Sequence, residues 1–175
     1  MSMMSFVFFG FVAILYLILY LIDRNVGNIE KNIRISNVVI LIASYIFVVY
    51  ADIRFALFLA IISFSTWFCA KKDLYLLGCI VALGALGYVK YTNFFVESFM
   101  SFLGEDFVAL NIILPLGISF YSFSAISYIE DVKRGNIEKH SFFDVALYLS
   151  FFPKLTSGPI QKSSDFLPNH LKDEI

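Results

Sequence analysis

Charge is scarce in this sequence. Of its 175 residues only 15% are Asp, Glu, Lys or Arg, 59% are hydrophobic, and the mean hydropathy is +0.80; an ordinary soluble domain is about 25% charged and about 45–50% apolar. A water-soluble globule is therefore excluded, and a multi-pass integral membrane protein is implied. The net charge of −1 offers no basic surface for nucleic acid. Cys69 and Cys79, the two cysteines, lie in or beside apolar runs with no His or Cys at metal-ligand spacing, so they read as small polarizable core residues. Histidine is equally rare: His140 sits in a charged loop and His170 in the polar tail, both expected as solvated surface residues and not as catalytic bases. No glycine loop followed by Lys-Ser or Lys-Thr, no paired-cysteine spacing and no HExxH occurs, so the familiar soluble-enzyme motifs are absent. No metal and no cofactor is expected. Neither an internal repeat nor an intramembrane charge pair is visible, which argues against a transporter. The N-terminus lacks a basic n-region and a small-residue cleavage site, so its apolar run Ser5–Ile22 is expected to remain as a first span.

What is present is a succession of apolar runs: Ser5–Ile22, Asn37–Ala51, Phe55–Ala70, Leu74–Val89, Leu110–Ile129 and Phe142–Phe152 with its continuation. Lipid offers no partner to unpaired backbone groups, so all are expected to be helical. The fold class is therefore an all-α integral membrane bundle of about six spans, with residues 1–175 forming a single transmembrane region. A helix running from 37 to 70 would be about 50 Å long, too long for one bilayer, so "DIR" at 52–54 is expected to be a turn between two spans near the lower limit of length. The short odd-numbered loops carry Arg24, Lys31, Arg34, Lys71, Lys72, Lys133, Arg134 and Lys139, the even ones only Arg54 and Lys90. That imbalance predicts odd loops in the cytoplasm and the N-terminus outside. Between Lys90 and Leu110, Tyr91, Phe94, Phe95, Phe99, Phe102 and Leu103 fall at helical spacing opposite Thr92, Asn93, Glu97 and Ser101. This stretch is expected as an amphipathic helix at the outer interface, the alternative being a tilted continuation of the fourth span. Gly78, Ala82 and Ala85 form a small-residue ridge that permits close helix packing, and Gly84 and Gly87 add scope for a bend.

Two segments have an unusual grammar. In "NIILPLGISFYSFSAISYIEDVKRGNIEKH", residues 111–140, Pro115 and Gly117 loosen the start of a span, and Ser119, Ser122, Ser124 and Ser127 add hydroxyls. Asn111, Pro115, Ser119 and Ser122 lie close to one face, which suits either a kinked helix packed with small polar residues or the wall of a polar cavity. In "SFFPKLTSGPIQK", residues 150–162, Pro153 biases Phe152 away from the helical region, Lys154 brings a charge, and Ser157, Gly158 and Pro159 supply a hydroxyl and a break. Irregular backbone at membrane depth must be buried in protein or line a water-filled cavity, so the segment either borders a cavity or lies outside the membrane after a span ending at Phe152.

"LPLGISFYSFSAISYIEDVKRG" at 114–135 and "YLSFFPKLTSGPIQKSSDFLP" at 148–168 closely resemble the paired motifs of the membrane-bound O-acyltransferase (MBOAT) family, in particular its alginate O-acetyltransferase-like branch, and "KYTNFF" at 90–95 resembles that branch too. Ser122-Phe123-Ser124 stands where Thr-Phe-Gln is common, Lys154 where glutamine is usual, and Glu130 beside Asp131 is more acidic than usual. The teichoic acid D-alanyl transfer proteins share the "FFP...SGPI" element. The resemblance implies the N-terminal part of a helical funnel in a bacterial inner membrane. There an acyl group, acetyl above all, arriving from the cytoplasmic side would pass to a hydroxyl of an exported polysaccharide such as alginate. Membrane lipid, the acyl donor, the polysaccharide and other exopolysaccharide-modification proteins are the implied partners. Pro153, Lys154, Ser157, Gly158, Pro159, Ser119 and Ser122 become the expected substrate-binding lining. The family's buried histidine base lies downstream of "GPI"; neither His140 nor His170 matches it, so no catalytic residue is assigned, and the chain is expected to be a fragment, inactive alone. The rival expectations are D-alanyl transfer to teichoic acid and a non-catalytic membrane scaffold or transport subunit.

Overall fold

A computed structural model of the chain describes residues 2–103, 114–156 and 162–170. Eight helices occur among them, and no strand: α1 (Ser2–Asn25), α2 (Ile29–Ala51), α3 (Ile53–Lys71), α4 (Tyr75–Leu103), α5 (Ile118–Lys133), α6 (Phe142–Ser150), α7 (Phe152–Thr156) and α8 (Ser163–His170). The expected all-α membrane bundle is the architecture found. Four helices, α1 to α4, are long and apolar enough to cross a bilayer. The expected fifth and sixth spans differ from this: α5 has 16 residues and α6 only 9, short of the roughly 20 that a bilayer core requires.

The "DIR" corner forms at Asp52 alone. This residue is extended, gives its N–H to the Val48 carbonyl at 3.1 Å to close α2, and accepts the Arg54 N–H at 2.7 Å on its carboxylate to open α3. One residue thus ends one helix with its backbone N–H and caps the next with its side chain. The second span is not at the lower limit of length: Asn28 caps α2 through the Lys31 N–H, and the helix runs 23 residues from Ile29. Lys31 and Arg34 lie within its first turns, where hydropathy alone places no span. The amphipathic stretch after Lys90 is likewise not a separate helix. It continues α4, which at 29 residues is about 44 Å long and outreaches the roughly 30 Å hydrocarbon core. Phe94, Phe95, Phe99 and Phe102 are exposed along that extension.

At the centre stands α5, packed by α3, α4, α6, α7 and α8. Ile118, Tyr121, Ser122, Ala125, Tyr128, Ile129 and Val132 recur at three- and four-residue spacing, and all are buried. Between lipid-soluble helices the water-driven hydrophobic term is missing, so close van der Waals contact has to hold them. The small-residue ridge supplies it. A Cβ at Gly78 would fall 2.6 Å from Ile129 Cδ1 and 3.0 Å from Cys69 Cβ, and Ala82 is buried beside it.

The third and fifth loops meet at one end of the bundle. The Lys139 ammonium donates to the Asp73 carboxylate at 2.7 Å and reaches the Lys71 carbonyl at 3.4 Å, while the Tyr75 hydroxyl also donates to Asp73. These bonds, the Lys139 one first, hold the Asp73 carboxyl below its ordinary value. Both odd loops therefore share a side, as their charge pattern predicts. Ser141 and Asp144 then form a reciprocal capping box that opens α6.

Candidate functional site

The two unusual segments pack on each other. Pro115 and Gly117 do not kink a helix. They form the turn before it, the Ile118 N–H bonding the Pro115 carbonyl at 3.3 Å, and α5 begins at Ile118. Gly117 adopts φ 72°, ψ 12°, a left-handed conformation suited to glycine. Space demands glycine as well: a Cβ there would lie 2.9 Å from Leu155 Cδ2 and 3.1 Å from the Leu155 carbonyl oxygen. The "LPLG" turn and the "FFPKL" segment are thus in direct contact.

The interruption between α6 and α7 falls at Phe151, one residue earlier than Pro153 suggests. Phe151 takes φ −52°, ψ 105°, and Pro153 sits in the first turn of α7, where its missing N–H costs nothing. The freed Phe152 N–H bonds the Ser44 hydroxyl oxygen of α2 at 3.3 Å, and that hydroxyl donates to the Ile40 carbonyl at 2.8 Å. Ser44 is eight residues before the Asp52 corner, which puts the interruption about 12 Å inside the end of a spanning helix. The Phe152 ring anchors the break among Phe8, Phe11 and Phe47, with ring centroids 5.5–6.4 Å apart.

Lys154, on α7, is 93% buried at a residual exposure of 7%. Its ammonium lies 3.9 Å from the centre of the Tyr148 ring of α6 and 4.1 Å from that of Phe166 of α8, with the Tyr148 carbonyl at 3.5 Å. Cation–π contact of this kind supports a desolvated charge on two sides. No carboxylate pairs with Lys154 among the described residues. α8 is pinned by Ser163, whose buried hydroxyl donates to the Asp131 carboxylate and faces the Ser127 carbonyl at 3.5 Å. Burial pushes the Asp131 carboxyl up, but hydrogen bonds from Ser163, Asn136 and the Ser164 backbone outweigh it, and the group is held below its ordinary value.

Three buried oxygens have no hydrogen-bond partner among the described residues: the hydroxyls of Tyr121, Ser122 and Ser150. Tyr148 shares hydrogen bonds with Ser124 and Ser127, and Leu155 abuts Gly117. Tyr121 and Ser122 are neighbours on α5, and Ser150 closes α6 just before the Phe151 interruption. A buried unsatisfied hydroxyl costs about 1–3 kcal/mol, so such a group normally marks a place for water or ligand.

Of the expected lining, the structure therefore brings Lys154 and Ser122 into the interior of one helix cluster. Ser119 is half-buried and Pro153 exposed; Ser157, Gly158, Pro159 and Asn111 lie outside the described residues. Tyr148, Phe166, Tyr121, Ser150 and Ser44 were not singled out from the sequence. Ser150 is visible in "LYLSFF", but Ser44 comes from α2, far from Lys154 in the chain, and Phe166 from the separate helix α8, and no local periodicity announces them. His140 is half-buried and not fully solvated; its backbone N–H donates to the Tyr128 hydroxyl at 3.1 Å. Desolvation lowers its imidazole from the ordinary value, with Asp144 and Glu138 acting the other way.

No family model matches the chain, and no solved structure is similar to it. Among proteins of known name, a "Probable alginate O-acetylase AlgI" of Pseudomonas aeruginosa is 38% identical over 151 residues, covering 77% of this chain and 29% of that protein. The Pseudomonas syringae protein of the same name is 39% identical over 149 residues, covering 75% of this chain and 29% of its own length. A "Peptidoglycan O-acetyltransferase" of Helicobacter pylori is 32% identical over 150 residues, covering 71% of this chain and 28% of the relative. The chain thus spans under a third of the length of the curated relatives it matches.

Proposed function

We propose, from the premise that this chain is a homologue of the polysaccharide O-acetylases and in keeping with the MBOAT family, that it is part of a membrane O-acyltransferase. Its reaction is transfer of an acyl group, acetyl first, from a donor on the cytoplasmic side to a hydroxyl of an exported polysaccharide of the alginate or peptidoglycan kind. The observation that carries this reading is the kinship itself, which covers about three quarters of the chain. The packing of Gly117 on Leu155 supports it, because it joins the two resembling segments at membrane depth, where an interruption between helices needs a reason.

In this reading Lys154, Ser122 and Ser119 line the acceptor or donor path, with Pro153, Ser157, Gly158 and Pro159 completing it. A general base is needed to take the proton from the attacking hydroxyl. No described residue of this chain is assigned that role. Other exopolysaccharide-modification proteins are the natural partners. The setting is a bacterial inner membrane with the N-terminus outside, a placement that rests on the lysine and arginine imbalance of the loops.

The test is genetic and chemical. Deleting the gene is expected to remove ester-linked acetyl groups from the cell's exported polysaccharide, and restoring it to bring them back, as read from the acetyl proton signal of the purified polymer. An unchanged acetyl content after deletion refutes the reading.

A further inference from the structure

The α6–α7 interruption is held by a helix that lies outside both resembling segments. In an unbroken helix the Phe152 N–H would bond the carbonyl four residues back, which is that of Tyr148. Phe151 leaves helical geometry at ψ 105°, and the Phe152 N–H turns instead to the Ser44 hydroxyl oxygen of α2 at 3.3 Å. The Tyr148 carbonyl then faces the Lys154 ammonium at 3.5 Å. Ser44 is oriented for this exchange, because its own O–H is committed to the Ile40 carbonyl at 2.8 Å and its lone pairs remain to accept. Ser44 and Phe152 are both buried, so bulk water does not stand in for the bond. The Phe152 ring is gripped from the same side: Phe8 and Phe11 of α1 and Phe47 of α2 surround it, with Leu15 and Ala43 buried in the same cluster. If the Ser44 oxygen were missing, the N–H could not simply return to the Tyr148 carbonyl. A helix rebuilt through the break would drive the Pro153 ring against the Leu149 carbonyl, four residues before it. The donor would be left orphaned, and Lys154, two residues on, would lose the fixed start of α7 that seats it between the rings of Tyr148 and Phe166.

We propose that Ser44 is a positioning residue for acyl transfer: its hydroxyl latches the α6–α7 break and thereby sets where Lys154 stands on the substrate path. The path rests on the acyl-transfer reading, while the latch itself is independent of it. Ser44 acts only through the Phe152 N–H. The α1–α2 pair, which carries neither resembling segment, thus acquires a part in the reaction as the clasp that holds one of them.

The experiment compares three variants in cells that carry each in place of the native gene. Ser44→Ala removes the acceptor, and Ser44→Thr keeps a hydroxyl that can make the same bonds. Thr66→Val is the control: the buried Thr66 hydroxyl bonds the Ile62 carbonyl at 2.7 Å within α3 and reaches no backbone N–H among the described residues. Ester-linked acetyl in the exported polysaccharide, per amount of the protein in the membrane, is expected to fall about tenfold to a hundredfold in Ser44→Ala, to recover in Ser44→Thr and to hold in Thr66→Val. Amide hydrogen exchange, followed by NMR on the detergent-solubilised chain, reads the latch directly. The Phe152 amide of the unaltered protein is expected to exchange as slowly as those inside α6, and at least about tenfold faster in Ser44→Ala. Native acetylation in Ser44→Ala, a loss that Thr66→Val shares or that Ser44→Thr does not recover, or a Phe152 amide exchanging at loop rates in the unaltered protein overturns the proposal. The last comparison needs no variant, so it decides even if Ser44→Ala does not fold. Absence of acetyl ester from cells with the native gene, with the Phe152 amide protected, overturns the transferase reading and leaves the latch standing.

Discussion

Replacing Gly117 by alanine loads two separable costs onto one position. The left-handed backbone, φ 72°, penalises any residue with a Cβ by about 1–2 kcal/mol. The new methyl also meets the Leu155 carbonyl oxygen at 3.1 Å and Leu155 Cδ2 at 2.9 Å; the carbonyl is backbone and cannot rotate away, so about 1–3 kcal/mol of overpacking is added. Gly135 provides the internal control, since it has φ 73° with nothing within 4 Å of a built Cβ, and Gly135→Ala carries the backbone cost alone. Unfolding of the two purified variants in mixed detergent micelles, followed by loss of helical circular dichroism against denaturing-detergent fraction, measures both. Gly117→Ala is expected to lose about 2–5 kcal/mol and Gly135→Ala about 1–2 kcal/mol. Equal losses within about 0.5 kcal/mol would show that α7 does not press on the turn before α5, and the joint between the two segments would fall.

Further consequences follow from the same contacts. Gly78→Ala places a methyl 2.6 Å from Ile129 Cδ1, the free end of a side chain, so it is expected to destabilise by about 1–3 kcal/mol; Ile129→Val removes that carbon and should recover at least half of the loss in a double-mutant unfolding cycle, with strict additivity refuting the contact. The loop tie between Asp73 and Lys139 has a pH window. Asp73 is depressed, so its contribution is present above the ordinary carboxylate value and fades as pH falls through its lowered folded value; Lys139 is raised, so its contribution is full below the ordinary ammonium value and fades as pH rises through its raised folded value. Spin labels at the exposed positions Lys72 and Glu138 should give a narrow distance distribution from about pH 5 to about pH 9 that broadens below about pH 4. Lys139→Met should broaden it throughout, and an unchanged width in that variant refutes the tie.

Much of the helical order is legible in the sequence, and the misreadings share a cause. Hydropathy marks where charges stop, yet a helix needs only satisfied backbone groups and a lipid-compatible surface. Lys31 and Arg34 therefore hide the start of α2, and the polar residues after Lys90 hide the continuity of α4. The corner at "DIR" is readable because one helix from 37 to 70 would outrun a bilayer, and the Gly78 ridge because its spacing repeats on one face. Pro115 and Gly117 announce an irregularity but not its kind: only the approach of Leu155 shows that the irregularity is a turn before α5 and not a kink within it. The environment of Lys154 is the least legible of all. Tyr148 lies six residues away, while Phe166 arrives on another helix, and no periodicity connects it to the lysine.

The most direct test of the acyl-transfer account is the fate of radiolabelled acetate fed to cells that produce the protein and to cells from which its gene is deleted. The account predicts label in the exported polysaccharide of the producing cells, released by mild alkali as an ester must be, and its absence after deletion. Equal label in both, or label that alkali does not release, would contradict it.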